Sequence, residues 1–463
     1  MSEPAKEDPS QKSAAKDKKA AKELKRERRA AAQRAKAQDG GGAPPKGDAA
    51  AAGRGKPGAP SGGGRGKSGA AGPAGDGAAA PGAVRVGSHA SLDAELSNVG
   101  VLGDASLFGN VTQPRSAQQN ARNWCAAASR GTIHPSVLTL CYRLSSFELR
   151  GANQRAIAVL RALADVIRDY RTPSGAVLSR DLLTRVSQQV GHIVEARPMN
   201  TSTGHAVRFL KYEISVVDAS LAEEEAKEHL LERIEHFIRD RIVYAARVIQ
   251  THAASKIHEG DVVLTYAHSS VVESTLLSAH AQGTRFEVVV VDSRPLYEGR
   301  SLAERLLGAG IPTTYGLLTS LSTLMPRVSL ALLGTTSLLS NGAPYARAGT
   351  AMCAMMASGH HVPVIICCET YKFSDRIQLD SFVMNEAANP SELLSTEDDG
   401  CATSSALLTR AECAEQSRLK VVQLMYDVTP PRYVSAIASE VGLSGTESVG
   451  VILRDYKSVL FGT

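Results

Sequence analysis

The stretch Asp261-Val262-Val263-Leu264-Thr265-Tyr266-Ala267-His268-Ser269-Ser270 decides the fold: an apolar strand runs into a turn of small residues, and a helical pattern follows. An apolar run without polar alternation is what a parallel strand covered on both faces requires. The design recurs. Strands are expected over residues 262–265, 286–292, 313–317, 328–333, 362–367 and 424–428, with helices over 272–282, 302–310 and 348–358 between them. Such alternation predicts a doubly wound, Rossmann-like parallel sheet of about six strands. No GxGxxG follows the first strand, which leaves a dinucleotide site little support. Ligands of open α/β sheets sit outside the carboxyl ends of strands. Here those ends are Ala267-His268-Ser269-Ser270 and Gly334-Thr335-Thr336-Ser337, the latter followed by Asn341-Gly342 and Gly349-Thr350.

Upstream, residues 117–258 carry a helical period. Over 153–170, Ile157, Leu160, Ala164 and Ile167 form one stripe, and Thr172-Pro173 ends it. Ser179 is placed to cap the next segment, with Leu182, Leu183 and Val186 inward. A further helix is expected from near His205, carrying Val207, Leu210 and Ile214. The run 223–256 reads as one amphipathic helix with Leu230, Ile234, Phe237, Ile238, Ile242 and Ala245 inward. The block reads as a helical bundle. The expected organisation is a tail over 1–95, a helical domain over 96–258 and a Rossmann-like domain over 259–463.

The tail is rich in Ala, Gly, Lys and Pro, the composition of a disordered segment. Residues 1–90 hold 18 of the 52 Lys and Arg but only 9 of the 47 Asp and Glu, so the net charge of +5 belongs there and the remainder is slightly acidic. A basic arm of this kind is either a solvated appendage or a weak RNA contact through phosphate neutralisation. No apolar run approaches the roughly 18 to 20 residues that span a bilayer, and Met1-Ser2-Glu3-Pro4 begins no signal-peptide core. The expectation is a cytosolic protein without a membrane partner. Seven cysteines, an odd number without CxxC spacing, read as reduced thiols; Cys367-Cys368 are expected to close a buried strand. No metal or cofactor site is expected.

Three segments in order carry a resemblance: Val289-Val290-Val291-Asp292-Ser293-Arg294-Pro295 with Glu298-Gly299-Arg300; Cys367-Cys368-Glu369-Thr370-Tyr371-Lys372-Phe373; and Leu424-Met425-Tyr426-Asp427-Val428-Thr429-Pro430-Pro431. Together they resemble the alpha/beta/delta regulatory-subunit family of eukaryotic translation initiation factor 2B, and within it the delta class. The match runs from about residue 100 onward and takes in His134-Pro135, Leu178-Ser179-Arg180-Asp181-Leu182 and Glu223-Glu224-Glu225-Ala226-Lys227. The tail matches nothing. Ala343-Pro344-Tyr345 and Thr335-Thr336 depart from the family pattern.

That family shares its fold with ribose-1,5-bisphosphate and methylthioribose-1-phosphate isomerases. By resemblance, the isomerase cysteine falls at Ala267, its aspartate at Thr336, and a phosphate-binding arginine at Arg294. No cysteine occurs between Cys141 and Cys353, so a small shift in alignment does not restore the thiol. Losing an acid or a base in proton transfer costs about 10²- to 10⁴-fold in rate. His268 is chemically able to act as a base but is expected to lack an opposing carboxylate. Arg294 either retains a phosphate or pairs with Asp292, Glu298 or another carboxylate.

The resemblance therefore implies a non-catalytic regulatory subunit of the guanine-nucleotide exchange factor for translation initiation factor 2. Its implied partners are the alpha, beta, gamma and epsilon subunits of that exchange factor and initiation factor 2, chiefly the alpha subunit, whose phosphorylated form is sensed. Contacts with that ligand are implied for exposed charges over 153–171 and 223–247. Leu107, Phe108, Val422 and Leu424 match the lining of a regulatory pocket at a subunit interface, and Tyr426 lies in the same interface segment; Val422 and Leu424 alternate as on one face of a strand. The Glu369 to Phe373 motif is either a partner surface or a loop folded back on its own sheet. Thr429 is placed to cap a helix over 432–440, and residues 389–410 read as a surface excursion. The backbone N–H groups after Asn341-Gly342 and Gly349-Thr350 serve turns or an anion. Two other classes stay open: a sugar-phosphate isomerase working through His268, and an RNA-associated scaffold acting through the tail.

Overall fold

The structure, a computed structural model, describes residues 111–112, 117–388 and 422–461. Contacts divide the chain into two units, 1–83 and 84–463, and all described residues belong to the second. The tail, Leu107, Phe108, Cys401, Cys413 and the 389–410 excursion lie outside the described residues.

After a two-residue strand β1 (Val111–Thr112), the chain builds a helical layer from α1 (Ala117–Ser129), α2 (Pro135–Ser145), α3 (Ala152–Asp169), α4 (Leu178–Ala196), α5 (Thr201–Val216) and α6 (Glu223–Phe237). Its core gathers around α3, where Val159, Leu160, Leu163 and Ile167 are buried. The sheet layer follows: α7 (Ala245–Ala254), β2 (Val262–Tyr266), α8 (Ser270–Ala281), β3 (Glu287–Asp292), α9 (Glu298–Gly308), β4 (Thr313–Leu317) and β5 (Leu330–Gly334). Next come β6 (Ser337–Leu339), β7 (Pro344–Arg347), α10 (Thr350–Gly359), β8 (Val364–Cys367), β9 (Phe373–Ser374) and β10 (Asn385–Glu386). The chain closes with β11 (Tyr426–Val428), β12 (Ala436–Ser439), β13 (Gly442–Ser444) and α11 (Val449–Phe461).

The main sheet runs β13-β12-β8-β5-β2-β3-β4, parallel except for the terminal hairpin β12–β13. Numbered by appearance, the six parallel strands read 3-2-1-4-5-6 from the β4 edge, the order of dinucleotide-binding sheets. The continuous valine runs now have a reason. Leu264, Val289, Val291, Leu333 and Ile366 face a core shared with α10 and α11, while Val263, Val288, Val290 and Leu332 face one shared with α7, α8 and α9. Side chains alternate, and both faces are covered.

One long helical run ties the layers together, and it is not uniform. Between α6 and α7, residues Ile238–Tyr244 form a wide π-type turn. Leu230 and Ile234 are fully buried in the helical core, Ile249 and Ala253 in the sheet core. Each pair, 230/249 and 234/253, is 19 residues apart, which at about 100° per residue leaves the two side chains roughly 100° out of line. One extra residue in the wide turn makes the path equivalent to 18, five whole turns, and both faces point inward. The sequence reading of one regular helix over 223–256 missed this, although its six inward residues are all buried.

Other expectations need correction. Residues 432–440 are not helical: a 3₁₀ turn, Pro431–Tyr433, leads into β12, the sixth parallel strand. Residues 424–428 do not join the main sheet, because β11 pairs antiparallel with β7 in a side sheet ordered β11-β7-β6-β9. Val177, not Ser179, is the N-cap of α4, and α5 starts at Thr201 behind an Asn200 cap rather than near His205. Among the described residues no helix is long and apolar enough to cross a membrane, and no cluster of metal-ligating side chains is present.

Deleting Val243, which is exposed within the wide turn, is expected to leave a regular helix with both faces aligned and to cost under about 1 kcal/mol in urea denaturation. Deleting exposed Glu232 instead puts Ile234 and Phe237 out of register with Leu230 and is expected to cost about 3 kcal/mol or more.

Candidate functional site

The chain leaves β2 toward β3 and β4 and returns to β5 on the other side of β2, so the topological switch point lies between the ends of β2 and β5. A cavity of about 420 Å³ opens there, roofed by the segment from Glu148 to Gln154 of the helical layer. Ala267 and Thr336 both line it, together with His268, Arg347 and Lys372.

The walls are set tightly. Ala267 adopts a left-handed conformation (φ 53°) while its N–H donates to the Val291 carbonyl at 2.8 Å. Non-glycine residues rarely hold that geometry, and they cluster at functional turns. Gly334 ends β5 so close to Ser269 that a Cβ there would collide with the serine side chain. Gly349 (φ 111°) abuts the Tyr266 ring, whose hydroxyl donates to the Ala348 carbonyl and lies 2.7 Å from Ser293 Oγ.

Each cation in the cavity wall is already engaged. Arg347 makes two 2.8 Å hydrogen bonds to the Glu298 carboxylate. Lys372, 5% exposed, forms a 2.6 Å ion pair with Glu369, which is fully buried. Arg150 donates to the carbonyls of Phe147 at 2.9 Å and Leu296 at 3.4 Å. Several of these contacts also join the layers. Asn153 of α3 donates to Glu369 at 2.7 Å and accepts from the Tyr371 hydroxyl at 2.5 Å, while the Tyr371 ring packs in the helical core against Phe237. The Glu369 to Phe373 motif is thus folded back within the chain, with Tyr371 in one layer's core and Phe373 in the other's.

His268 pairs with a carboxylate beside it, its Nε2 lying 2.7 Å from Glu273, while the opposing position, Thr336, carries none. Glu273 is also gripped by Arg305. Burial raises the Glu273 pKa, but the hydrogen bonds from His268 and Arg305 outweigh it and hold the group below the ordinary glutamate range. Arg294 is exposed, follows Ser293 and precedes a cis proline; it makes no ion pair with Asp292 or Glu298. Asp292 instead accepts from Ser293 N, Arg300 N and the Tyr315 hydroxyl, and Glu298 belongs to Arg347. Nor are the N–H groups at the start of α10 free for an anion: Gly349 N and Ala351 N both donate to Asp427 Oδ2, at 2.7 and 2.9 Å.

The interface segment is split. Val422 is 44% exposed, Leu424 packs on Val111 and Ala387, and the pair lies outside any strand apart from a single bridge, Ala387 to Leu424. Tyr426 is buried against Tyr345 and near Arg197. Sequence reasoning missed Asn153, Glu273 and Asp427 as site builders; only their tertiary partners reveal them.

A doubly wound, mostly parallel α/β sheet with a helical layer over its switch-point cavity defines the structural class of this chain. Within it the sequence matches the initiation factor 2 subunit family over residues 148–446, and the chain belongs to that family. It is 45% identical over 327 residues to the translation initiation factor eIF2B subunit delta of Schizosaccharomyces pombe, covering 71% of this chain and 70% of that protein. It is 38% identical to the corresponding Dictyostelium discoideum subunit, covering 70% of this chain but 52% of that longer protein. A ribose 1,5-bisphosphate isomerase of Pyrococcus furiosus is 28% identical over 66% of this chain and 90% of its own length. Among solved structures, a chain of the tetrameric eIF2B beta2-delta2 complex from Chaetomium thermophilum matches with a TM-score of 0.62 at 32% identity, covering 72% of this chain and 97% of that one.

Burial lifts the Asp427 carboxyl to about 7 despite the two backbone donors that favour its charged form. Its folded pKa therefore exceeds its unfolded one, so its contribution to stability is fully present below about pH 4 and is lost as pH rises to about 7. The Asp427→Asn variant keeps an acceptor for Gly349 and Ala351 without the charge. Wild type is expected to gain stability relative to that variant, by up to about 3 kcal/mol, between pH 7 and pH 5 in urea denaturation.

Proposed function

We propose that this chain is a non-catalytic regulatory subunit of the guanine-nucleotide exchange factor for translation initiation factor 2, built to scaffold the complex and to sense the phosphorylated alpha subunit of its substrate. The observation that carries the reading is the state of the switch-point cavity. Ala267 and Thr336 offer neither a thiol nor a carboxylate, and the surrounding cations are committed to Glu298, Glu369 and backbone carbonyls. Side chains so engaged hold the two layers together; one buried donor among them, Arg347 Nη1, has no hydrogen-bond partner. The likeness to curated delta subunits and to a chain of a beta2-delta2 assembly supports partnership with a beta subunit, and the alpha, gamma and epsilon subunits are proposed alongside it. Exposed charges on α3, α6 and the wide turn, among them Arg161, Arg168 and Arg239, are the surface on which initiation factor 2 alpha would dock. Val422, exposed beside Leu424, is proposed as a contact with a neighbouring subunit.

One observation favours a second reading. The His268–Glu273 pair gives the cavity an oriented imidazole, as an isomerase base would need. No acid stands opposite it at Thr336, and Glu273 is shared with Arg305, so the first reading is preferred.

Affinity capture of the native protein from its own extract, read by mass spectrometry, is expected to recover the other four exchange-factor subunits. The purified chain alone is expected to leave ribose 1,5-bisphosphate unchanged. Capture without those subunits counts against the proposal; turnover that disappears in His268→Ala replaces it with the second reading.

A further inference from the structure

A second cavity of about 220 Å³ shares Thr336 with the crevice but is otherwise lined by different residues. One wall is the start of α5. There Asn200 Oδ1 accepts from Thr203 N at 3.0 Å, which pins the amide, and Asn200 Nδ2 is buried with no partner. Ser202 Oγ and Thr203 Oγ1, in the same turn but outside the cavity lining, are also buried and unpartnered. Buried polar atoms in native proteins nearly always have a partner, and a helix start favours an anionic one. Across the cavity stands Arg376, exposed, whose guanidinium has among the described residues one hydrogen-bond partner, the Met384 thioether at 3.0 Å. A thioether is a weak acceptor for such a donor.

Charge behind the lining has the same sign. Glu386 is the single carboxylate in the wall, and two buried guanidiniums serve it: Arg197 pairs with it directly and Arg155 NH1 lies 3.9 Å away. Arg155 and Arg197 are each 2% exposed, and Arg155 Nε and NH1 have no hydrogen-bond partner. The group therefore carries an uncompensated positive charge. The remaining wall is aromatic and apolar: the Tyr345 and Tyr426 rings pack 4.9 Å apart, with Met199 and Leu339 beside them.

From this arrangement we propose that the cavity binds a small molecule carrying one carboxylate or phosphate on an aromatic or apolar body. The anion sits between the α5 start and Arg376, and the body lies against the tyrosines. The volume is below the roughly 300–1,000 Å³ of clefts for drug-sized ligands, so the ligand is compact. Because α5 belongs to the helical layer and Arg376 to the sheet layer, occupancy braces one layer against the other. The site shares only Thr336 with the crevice, and the proposal does not rest on a role in exchange-factor assembly.

The test is saturation-transfer NMR on the full-length chain with phenyl phosphate and benzoate, using phenol and inorganic phosphate as the separate halves; the two anions decide which head group is preferred. At least one anion is expected to bind more tightly than either half. Asn200→Asp keeps the helix cap but sets a carboxylate against the anion, and Arg376→Gln removes the mobile charge. Each is expected to weaken binding about tenfold or more, the usual effect of losing a charge-assisted bond. His268→Ala, in the crevice, is expected to leave binding unchanged. Melting temperatures equal to wild type show that the variants are folded. Absence of binding by both anions, binding that survives Asn200→Asp, or binding lost in His268→Ala overturns the proposal.

Discussion

A carboxylate with no access to water holds this fold together. Glu369 leaves the end of β8 and is wholly buried, so its charge stays tolerable only through Lys372 at 2.6 Å and the Asn153 amide at 2.7 Å. A buried ion whose partner is removed costs about 3–5 kcal/mol. Asn153 comes from the helical layer, Lys372 and Tyr371 from the loop beyond the sheet, so satisfying that one charge fixes how the layers meet. Arg197, reaching from the end of α4 to Glu386 and Leu149 O, repeats the device nearby. The cavity between the layers is accordingly a seam whose polar groups face each other.

That reading joins fold to function. The strand order puts two loops at the switch point, where the resemblance places an isomerase's thiol and carboxylate. In this chain the loop geometry persists, with the left-handed backbone at Ala267 and the glycine that lets β5 approach Ser269, while Ala267 and Thr336 carry neither a thiol nor a carboxylate. Arg347 and Lys372 in the cavity wall pair with Glu298 and Glu369, while Arg294 stands exposed outside those pairs. A two-layer body with such a seam suits the proposed regulatory role, in which the work is done on the outer surfaces.

Much of the fold was legible because apolar patterning answers directly to burial. The Val288 to Val291 run and the inward residues of α3 and α6 fall where the periods put them. The failures share a cause. Residues 432–440 look helical by propensity, but the sheet edge at β8 supplies hydrogen-bond partners and draws Ala436–Ser439 into a strand. The wide turn at Ile238–Tyr244 answers to a need 19 residues long, which no local window contains. At the site, Ala267 and Thr336 were found by position in the chain. The pairs that define its chemistry, Asn153 with Glu369 across 216 residues and Arg347 with Glu298 across 49, exist only in the folded state.

The most direct test is a double-mutant cycle in urea denaturation with Lys372→Met, Glu369→Gln and both together. If Glu369 and Lys372 are the seam, Lys372→Met alone costs about 3–5 kcal/mol and adding Glu369→Gln returns most of that loss. Costs that simply add would mean that the two side chains act independently, and would contradict this account of what joins the layers.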